Sequence, residues 1–248
     1  MNTITKSSLC ILIIGKFFYQ DYASIGRNNR NIIHYIIPFK LVDSVYKFSK
    51  KNYFSSPLPF RILDNRPIVN SNVVGDSDFK KVTVLVVGET ARAKSFSLNG
   101  YAKNTNTFTK ELNVVSFANM KSCGTATAVS LPCMFSRLSK SNYEKTLANN
   151  QQNILDIVKL SGVDVLWIDN NNGSCKGVCK NVNSIDIATD KADINCDGEY
   201  CFDEALLTPF IEKLEHLTQQ NTLIVLHMIG SHGPTYYRRY PPNKRPFL

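Results

Sequence analysis

Three continuous apolar runs, alternating with helix-like patterns, constrain the fold of this chain more than any other feature of its sequence. The runs cover residues 82–87, 163–168 and 222–229 and are rich in Val, Ile and Leu. Apolar positions spaced as on one face of a helix precede the second and third runs, at residues 154–160 and 206–217. Such runs are typical of strands buried on both faces of a parallel sheet, and the helices between them connect one strand to the next. The sequence therefore predicts an α/β domain with a largely parallel sheet and flanking helices.

The positive charge of the chain is concentrated before this domain. Among 248 residues, 29 are Lys or Arg and 20 are Asp or Glu, which gives a formal net charge of +9. Up to Lys81 there are 12 basic and five acidic residues, whereas from Val82 onward there are 17 and 15. A nucleic-acid-binding protein usually carries its basic stripe on the folded domain, so no nucleic-acid partner is expected. A basic segment beside an apolar run instead suits an anionic membrane surface.

The apolar run in question is Leu9–Gly15, which Lys16 and three aromatic residues follow directly. It is shorter than the roughly 20 residues that span a bilayer, and no small-residue cleavage site follows it as in a signal peptide. We interpret residues 1–19 as the remnant of a last transmembrane helix and residues 20–81 as a basic linker at the membrane interface. A buried helix of a soluble protein is the alternative interpretation of the run.

Six of the seven cysteines lie in close pairs beyond residue 120, and Cys10 stands alone in the apolar run. Zinc sites favour two C-x-x-C knuckles, whereas the last four cysteines are spaced C-x3-C and C-x4-C. Disulfides in an oxidising compartment fit these cysteines better than a metal does. Six cysteines allow many pairings, so local pairing is a preference at this point. Cys10 would remain a free thiol.

Side chains with chemical capacity follow each predicted strand. Glu89 follows the first strand, an Asn-rich stretch with Lys176 follows the second, and His232 follows the third. In such sheets, ligands bind beyond the carboxyl ends of the strands. Thr127 precedes a predicted helix, whose exposed N–H groups and positive dipole end favour phosphate. Each residue alone could serve as a helix cap or brace a turn, but their common placement indicates a site.

Longer stretches around these residues resemble the lipid A phosphoethanolamine transferases, a sulfatase-like group of the alkaline phosphatase superfamily that includes the mobile colistin-resistance enzymes. The resemblance extends from about Phe18 to the end of the chain. It rests on Val-Val-Gly-Glu89-Thr-Ala-Arg92, Ser-Cys123-Gly-Thr-Ala-Thr127, Cys175-Lys176-Gly-Val-Cys179 and Gly-Ser-His232-Gly-Pro.

The resemblance implies a role for each candidate residue. Thr127 would be the nucleophile that takes phosphoethanolamine from phosphatidylethanolamine, and Thr127 and Glu89 would bind a catalytic Zn²⁺. Zinc lowers the pKa of a bound hydroxyl and neutralises charge on the transferring phosphoryl group. The residues implied to bind the substrate head group are Lys176, His232 and either Asn171 or Asn172. The implied disulfides join Cys123 to Cys133, Cys175 to Cys179 and Cys196 to Cys201.

The resemblance further implies phosphatidylethanolamine as donor, lipid A or lipopolysaccharide as acceptor, and polymyxin resistance as the outcome. The protein would lie in the bacterial inner membrane, with residues 82–248 forming the N-terminal part of a periplasmic catalytic domain. The family also has several transmembrane helices and a later Asp-His pair that completes the zinc site. Because this sequence contains no Asp-His dipeptide, we expect an incomplete zinc site, a sheet incomplete at its C-terminal side and a fragment that is inactive alone.

Two alternative functions remain at the level of sequence. One is another enzyme of the alkaline phosphatase superfamily, such as a phosphoglycerol transferase or a sulfatase. A sulfatase matures its nucleophile within C/S-x-P-x-R, and Cys123 lacks the following Pro and Arg. The other alternative is a non-catalytic remnant of a disrupted gene.

Overall fold

The computed structural model describes Gly15 and residues 37–54, 58–68, 79–187, 194–233 and 236–241. The chain forms two units, residues 1–57 and residues 58–248. Apart from Gly15, the apolar run interpreted as a transmembrane remnant lies outside the described residues. Cys10 lies outside them as well.

In the first unit, helix α1 spans Ile37–Tyr53. An ion pair joins Lys47 Nζ to Asp43 Oδ2 at 2.7 Å, one turn apart on the exposed surface of the helix. Large apolar side chains, among them Val42 and Tyr46, are also exposed on α1. None of the helices in the described part of the chain is both long and apolar enough to cross a bilayer.

In the second unit, the described residues form a four-stranded sheet in the order β1-β4-β2-β3, with every pair of neighbours parallel. The strands are β1 (Lys81–Val87), β2 (Asp164–Asp169), β3 (Asn183–Asp186) and β4 (Asn221–His227). The helices are α2 (Thr127–Phe135), α3 (Lys145–Asn149), α4 (Ile154–Leu160) and α5 (Leu207–Glu215). The predicted α/β class with a parallel sheet is therefore confirmed.

Two apolar clusters form the core because successive residues of a strand point to opposite faces of the sheet. One cluster contains Trp167 of β2 and Leu155 of α4. The other contains Ile168 of β2 and Ile224 of β4, with Phe210 of α5 packed against it. Helices thus cover the two central strands on both faces, as the continuous apolar runs predict for β2 and β4.

The start of helix α4 is set by hydrogen bonds between side chains and main chain. The side chain of Asn153 accepts hydrogen bonds from the main-chain N–H groups of Leu155 and Asp156. Asp156 Oδ2 in turn accepts one from the N–H of Asn153 at 2.7 Å. This reciprocal capping box satisfies donors that the first turn of a helix leaves unpaired, and it fixes the start of the helix that precedes β2.

The first strand differs from its prediction. Its β-branched run predicts burial on both faces, yet Val84, Leu85 and Val86 are 41%, 39% and 55% exposed, and within the strand only Val87 is buried. Among the described residues, β1 is an edge strand that pairs with β4 on one side. The prediction of burial was wrong for β1. A run of β-branched residues favours a strand, but whether the strand is buried depends on which elements cover it.

Strand β3 was not predicted. It pairs in parallel with β2 from Leu166↔Asn183 to Asp169↔Asp186, and its residues are exposed. Only Ile185 in this strand is apolar, so no apolar run indicates it. It is held by main-chain pairing to a central strand rather than by its own side chains.

Three disulfides are present, and each joins two successive cysteines along the chain. They link Cys123 to Cys133, Cys175 to Cys179 and Cys196 to Cys201. These are the pairs that the resemblance implies. The first ties the segment before α2 to that helix, and the other two close loops near the carboxyl end of the sheet.

Residues 58–68, within the predicted linker, belong to the second unit. Arg61 forms a parallel bridge with Gln151, and the N–H groups of Leu63 and Asp64 donate to Oε1 of the buried Gln152 at 2.7 and 3.0 Å. This part of the predicted linker is therefore fixed to the loop that precedes α4. The domain boundary at residue 82 stays a prediction.

Candidate active site

The carboxyl ends of β1, β2 and β4 bring the candidate residues to one edge of the sheet. In register, Val87 at the end of β1 pairs with His227 at the end of β4, and Asp169 at the end of β2 pairs with the same His227. Glu89 lies two residues beyond β1, and His232 lies five beyond β4. Parallel strands end at the same edge, so side chains far apart in sequence meet there.

Glu89 and Thr127 are in direct contact at this edge. Thr127 is the first residue of α2, and its Oγ1 donates a hydrogen bond to Glu89 Oε2 at 2.8 Å. Thr90 Oγ1 donates to the other carboxylate oxygen, Oε1, at 2.7 Å. The Glu89 side chain is 13% exposed. A shielded carboxylate therefore holds a threonine hydroxyl at the start of a helix, where the helix dipole favours negative charge.

His232 approaches the same carboxylate from the loop after β4. Its Nδ1 lies 3.9 Å from Glu89 Oε1, and its side chain is 41% exposed. The main chain of the loop is bound to Glu89 as well, because the N–H of Ser231 donates to the Glu89 carbonyl at 3.1 Å. The imidazole is therefore near Glu89 and open to solvent.

Gly230 allows this close approach of the two loops. Its φ is +50°, a left-handed conformation that L side chains rarely adopt. A Cβ at this position would lie 2.8 Å from the carbonyl oxygen of Glu89. Any side chain at position 230 would therefore push the His232 loop away from Glu89.

Asp203 holds the main chain at this glycine, a role that no sequence pattern indicated. Its carboxylate accepts hydrogen bonds from the N–H groups of Ile229 (2.8 Å) and Gly230 (2.9 Å) and from Asn170 Nδ2 (2.9 Å). Burial raises the pKa of Asp203, although these hydrogen bonds oppose the shift. One carboxylate thus joins the loops that follow β2 and β4. Asp203 is the first residue of a short 3₁₀ turn, and aspartate at the start of a helical turn is too common a pattern for sequence reasoning to single out.

Asp169 and His227 form a buried pair beneath the edge. Asp169 Oδ2 lies 2.8 Å from His227 Nδ1 and accepts a hydrogen bond from Trp167 Nε1 at 2.8 Å. Burial by itself would raise the pKa of Asp169, but these contacts and the main-chain N–H of Asn171 outweigh it and lower the pKa. His227 falls within the third apolar run of the sequence, which predicts a strand. The structure confirms the strand position and makes His227 a support for the loop at Asn171.

The Asn-rich loop separates its two candidate asparagines. Asn171 is buried, its N–H donates to Asp169 Oδ1 at 2.6 Å, and its Nδ2 donates to the Met228 carbonyl at 3.0 Å. Asn172 is exposed and has a φ of +57°. Asn171 therefore holds the loop in place, whereas the Asn172 side chain is accessible to a ligand.

Lys176 lies in the loop that the Cys175–Cys179 disulfide closes, in a left-handed conformation with a φ of +51°. Among the described residues it forms no hydrogen bond or ion pair with Glu89, Thr127 or His232. The structure therefore brings three of the predicted site residues together, and among the described residues Lys176 has no hydrogen bond or ion pair with them.

The donors at this edge match zinc in type but not in number. Carboxylate and hydroxyl oxygens and an imidazole nitrogen are groups that Zn²⁺ accepts, usually about four at a time. Glu89 and Thr127 supply two oxygen donors 2.8 Å apart. Within the described ranges, no group of three or more His, Cys, Asp or Glu side chains is placed to hold a metal ion.

Comparison with known proteins identifies the family to which this geometry belongs. The sequence profile of the family described as Sulfatase matches residues 81–247, which include the whole sheet and every candidate site residue. This chain belongs to the sulfatase family. A second profile, described as Phosphoethanolamine transferase EptA/EptB, matches residues 1–53. The resemblance to the sulfatase-like phosphoethanolamine transferases is thereby confirmed, with the sulfatase match over residues 81–247 and the phosphoethanolamine transferase match over residues 1–53.

Two curated relatives of this sulfatase-family chain are transferases. Phosphoethanolamine transferase EptA of Escherichia coli K12 is 42% identical over 98% of this chain and 44% of its own length. Phosphatidylethanolamine transferase Mcr-1 of Escherichia coli is 33% identical over 97% of this chain and 46% of its own length. The chain thus spans somewhat less than half the length of these relatives.

Solved structures agree with this assignment. The integral membrane protein lipooligosaccharide phosphoethanolamine transferase A (EptA) from Neisseria meningitidis matches with a TM-score of 0.73 and 39% identity, over 98% of this chain and 45% of that chain. A periplasmic domain of EcEptC from Escherichia coli, solved as a complex with Zn, has a TM-score of 0.53 and 22% identity over 67% of this chain and 48% of that chain. At that identity the second match supports the fold alone.

Proposed function

We propose that this chain carries the nucleophile of a phosphoethanolamine transferase, with Thr127 as the residue that receives the phosphoethanolamine group. The observation that supports the assignment most directly is the 2.8 Å hydrogen bond from Thr127 Oγ1 to Glu89 Oε2 at the start of α2. A threonine hydroxyl is a weak nucleophile unless an adjacent group takes its proton or a metal activates it. Glu89 is in position to accept that proton.

The proposed first half-reaction transfers phosphoethanolamine to the protein. Thr127 Oγ1 attacks the phosphorus of phosphatidylethanolamine, the hydroxyl proton passes to Glu89 Oε2, and the bond from phosphorus to the diacylglycerol oxygen breaks. The diacylglycerol oxygen takes up the proton from Glu89 and leaves as the alcohol of diacylglycerol. In the second half-reaction, a phosphate hydroxyl of the acceptor attacks the same phosphorus and gives its proton to Glu89, the bond from phosphorus to Thr127 Oγ1 breaks, and Glu89 returns the proton to Oγ1.

Zinc is the proposed cofactor, held by Glu89 and Thr127. When bound, it would lower the pKa of the Thr127 hydroxyl and offset negative charge on the transferring phosphoryl group. Two protein ligands are fewer than the roughly four that zinc ordinarily takes. We therefore propose that residues 1–248 alone bind zinc weakly and give no transfer.

The substrate head group would be bound around this pair. His232, 3.9 Å from Glu89 and open to solvent, would donate to a phosphoryl oxygen. Asn172 would supply an exposed amide from the loop after β2. Lys176, from the loop that the Cys175–Cys179 disulfide closes, would add a positive charge to the head-group site; among the described residues it has no hydrogen bond or ion pair with Glu89 or Thr127.

The proposed setting is the bacterial inner membrane, with the sulfatase-like domain in the periplasm and lipid A or lipopolysaccharide as acceptor. Three disulfides support an oxidising compartment for this domain. The match of residues 1–53 to a phosphoethanolamine transferase profile supports a membrane-associated start. Transfer to lipid A would reduce its negative charge, which is the physical basis of the polymyxin resistance that we propose.

The nucleophile is tested in a hybrid chain in which residues 1–248 replace the matching part of Escherichia coli EptA. Mass spectrometry after incubation with phosphatidylethanolamine should find a phosphoethanolamine adduct on Thr127. The Thr127→Ala variant should form no adduct. Thr125→Ala is the matched control, because it removes a neighbouring hydroxyl and should retain the adduct. An adduct on Thr125, or polymyxin resistance in the Thr127→Ala hybrid, would overturn the assignment.

A further inference from the structure

A cavity with several charged residues in its lining lies at the same edge of the sheet, outside the Thr127–Glu89 pair. Its volume is about 420 Å³, and neither Thr127 nor Glu89 lines it. Its walls come from the loop after β2, the end of β3, the Cys196–Cys201 loop and the segment after β4. The lining residues that matter here are Asn172, Asp186, Glu199, Tyr200 and Arg239.

Arg239 brings an incompletely paired positive charge to this cavity. It is 7% exposed, its Nε donates to the His232 carbonyl at 2.9 Å, and its guanidinium carbon lies 4.7 Å from the centre of the Tyr200 ring. Its Nη1 is buried and has no hydrogen-bond partner in the part of the chain that the structure describes. A buried donor on a charged group is costly to leave unpaired, and a guanidinium is always charged.

The neighbouring arginine, Arg238, forms ion pairs at this place. Arg238 stacks on the same Tyr200 ring at 4.5 Å, and it forms ion pairs with Asp197 and, at 3.1 Å, with Glu199. Glu199 is therefore engaged by Arg238. Arg239 has no ion pair with any described carboxylate.

One carboxylate on the cavity wall also lacks a described partner. Asp169 is engaged by His227 and Trp167. Asp186, at the end of β3, is exposed and forms no ion pair or side-chain hydrogen bond among the described residues. The cavity thus contains one cation, Arg239, and one anion, Asp186. Neither forms an ion pair with the other or with any other described residue.

We propose that this cavity is a second phosphate subsite, which binds a phosphate ester carrying a primary ammonium group. The phosphate oxygens would accept hydrogen bonds from Arg239, since guanidinium groups bind phosphate by charge-assisted hydrogen bonds. The ammonium would pair with Asp186, and the volume is within the range of small-molecule sites. The nature of the ligand rests on the proposed function, and two sources share its chemistry: the head group of the donor lipid and free phosphoethanolamine.

The cavity is linked to the candidate active site by a hydrogen bond to the main chain of His232. Arg239 Nε holds the carbonyl of His232, whose imidazole lies 3.9 Å from Glu89. Ile229 lines the cavity and donates its N–H to Asp203. A ligand on Arg239 would therefore contact the segment that presents His232.

Binding is measured by calorimetry on the full 248-residue chain carrying Thr127→Ala, so that the proposed nucleophile takes no part. The probes are inorganic phosphate, phosphoethanolamine and dihexanoyl phosphatidylethanolamine. Arg239→Gln should weaken binding of phosphoethanolamine roughly tenfold or more, the loss expected for charge-assisted hydrogen bonds. Arg238→Gln is the matched control, because it changes the neighbouring arginine on the same ring, and it should change affinity by less than about twofold.

The near-ultraviolet circular dichroism of the single tryptophan shows whether Arg239→Gln disturbs folding. If it does, a second variant, Asp186→Asn, still tests the proposal. Asp186→Asn alters an exposed residue and should abolish the preference for phosphoethanolamine over inorganic phosphate while phosphate itself still binds. Equal losses in the two arginine variants, or an unchanged preference in Asp186→Asn, would overturn the subsite. Tighter binding of the dihexanoyl lipid assigns the subsite to the donor, and tighter binding of phosphoethanolamine assigns it to the free ester. If no adduct forms on Thr127 but phosphoethanolamine still binds at this cavity, the proposed nucleophile is rejected and the subsite stands.

Discussion

Strands β1 and β4 have similar sequences and adjacent positions, yet they are buried to very different extents. Both contain seven residues, most of them Val, Leu or Ile, and they pair along their whole length. In β4, Ile224 and Val225 are completely buried, whereas in β1 the residues opposite them, Val84 and Leu85, are 41% and 39% exposed. The difference arises because β4 has strands on both sides and helices on both faces. β1 is an edge strand in the described part of the chain.

The same contrast extends to the loops that the two strands carry. The loop after β4 is held by Asp203 through two main-chain hydrogen bonds. The segment after β1 is held through Glu89, by its contact with Thr127 and by the close approach of Gly230. The site therefore combines a segment fixed within the core with one that depends on its neighbours. Substitutions on the two sides should consequently have different effects on stability.

The largest effect is expected from Ile224→Ala in β4. Removing most of a completely buried side chain loses transfer free energy and leaves a cavity, which together cost about 2–5 kcal/mol. Urea unfolding followed by the fluorescence of the single tryptophan, Trp167 in the core, measures the free energy of unfolding. Val84→Ala in β1 is the matched control, and an equal loss for both variants would show that β1 is covered.

A smaller effect is expected from Asp203→Ala, which tests the fixed loop. The variant leaves the N–H groups of Ile229 and Gly230 without their acceptor, at a cost of roughly 1–3 kcal/mol for an unsatisfied buried group. Hydrogen exchange at these two amides should become faster. Asp203→Asn retains an acceptor oxygen and should show intermediate exchange. Unchanged protection of both amides in the alanine variant would contradict the role given to Asp203.

A loss of stability confined to acidic pH is expected from the Asp169–His227 pair, which joins the ends of β2 and β4. The folded-state pKa of Asp169 is lowered, so its contribution to stability is present above its unfolded pKa of about 3.9. That contribution should be lost as the pH falls below this value toward the folded pKa. Thermal unfolding between pH 7 and pH 2 should show a shallower acid decline in Asp169→Asn than in the unchanged chain. Parallel curves would mean that the pair does not contribute.

The smallest effect is expected from Val86→Thr in β1. Val86 is 55% exposed, and threonine retains the β-branched shape that suits a strand. The free energy of unfolding should change by less than about 0.5 kcal/mol, as for most surface substitutions. A loss above about 1 kcal/mol would show that this face of β1 is packed against another part of the protein.

The sequence by itself determined the elements and the chemistry of the edge. The apolar runs predicted β1, β2 and β4, because a buried strand requires consecutive apolar residues. The position of polar side chains after those runs predicted where Glu89 and His232 would lie, because parallel strands end at one edge. The motifs around Thr127 and the cysteine pairs indicated the family.

Only the tertiary structure decided which strand lies at the edge and which groups hold the site together. The exposure of β1 depends on covering elements that no local pattern encodes. Strand β3 forms through main-chain pairing with β2 and carries no apolar run to indicate it. Asp203, His227 and Arg239 are single polar residues whose importance arises from partners 7 to 58 positions away in the chain. Contacts of this kind come from the packing of distant segments, so their physical cause lies in the fold and not in the neighbouring sequence.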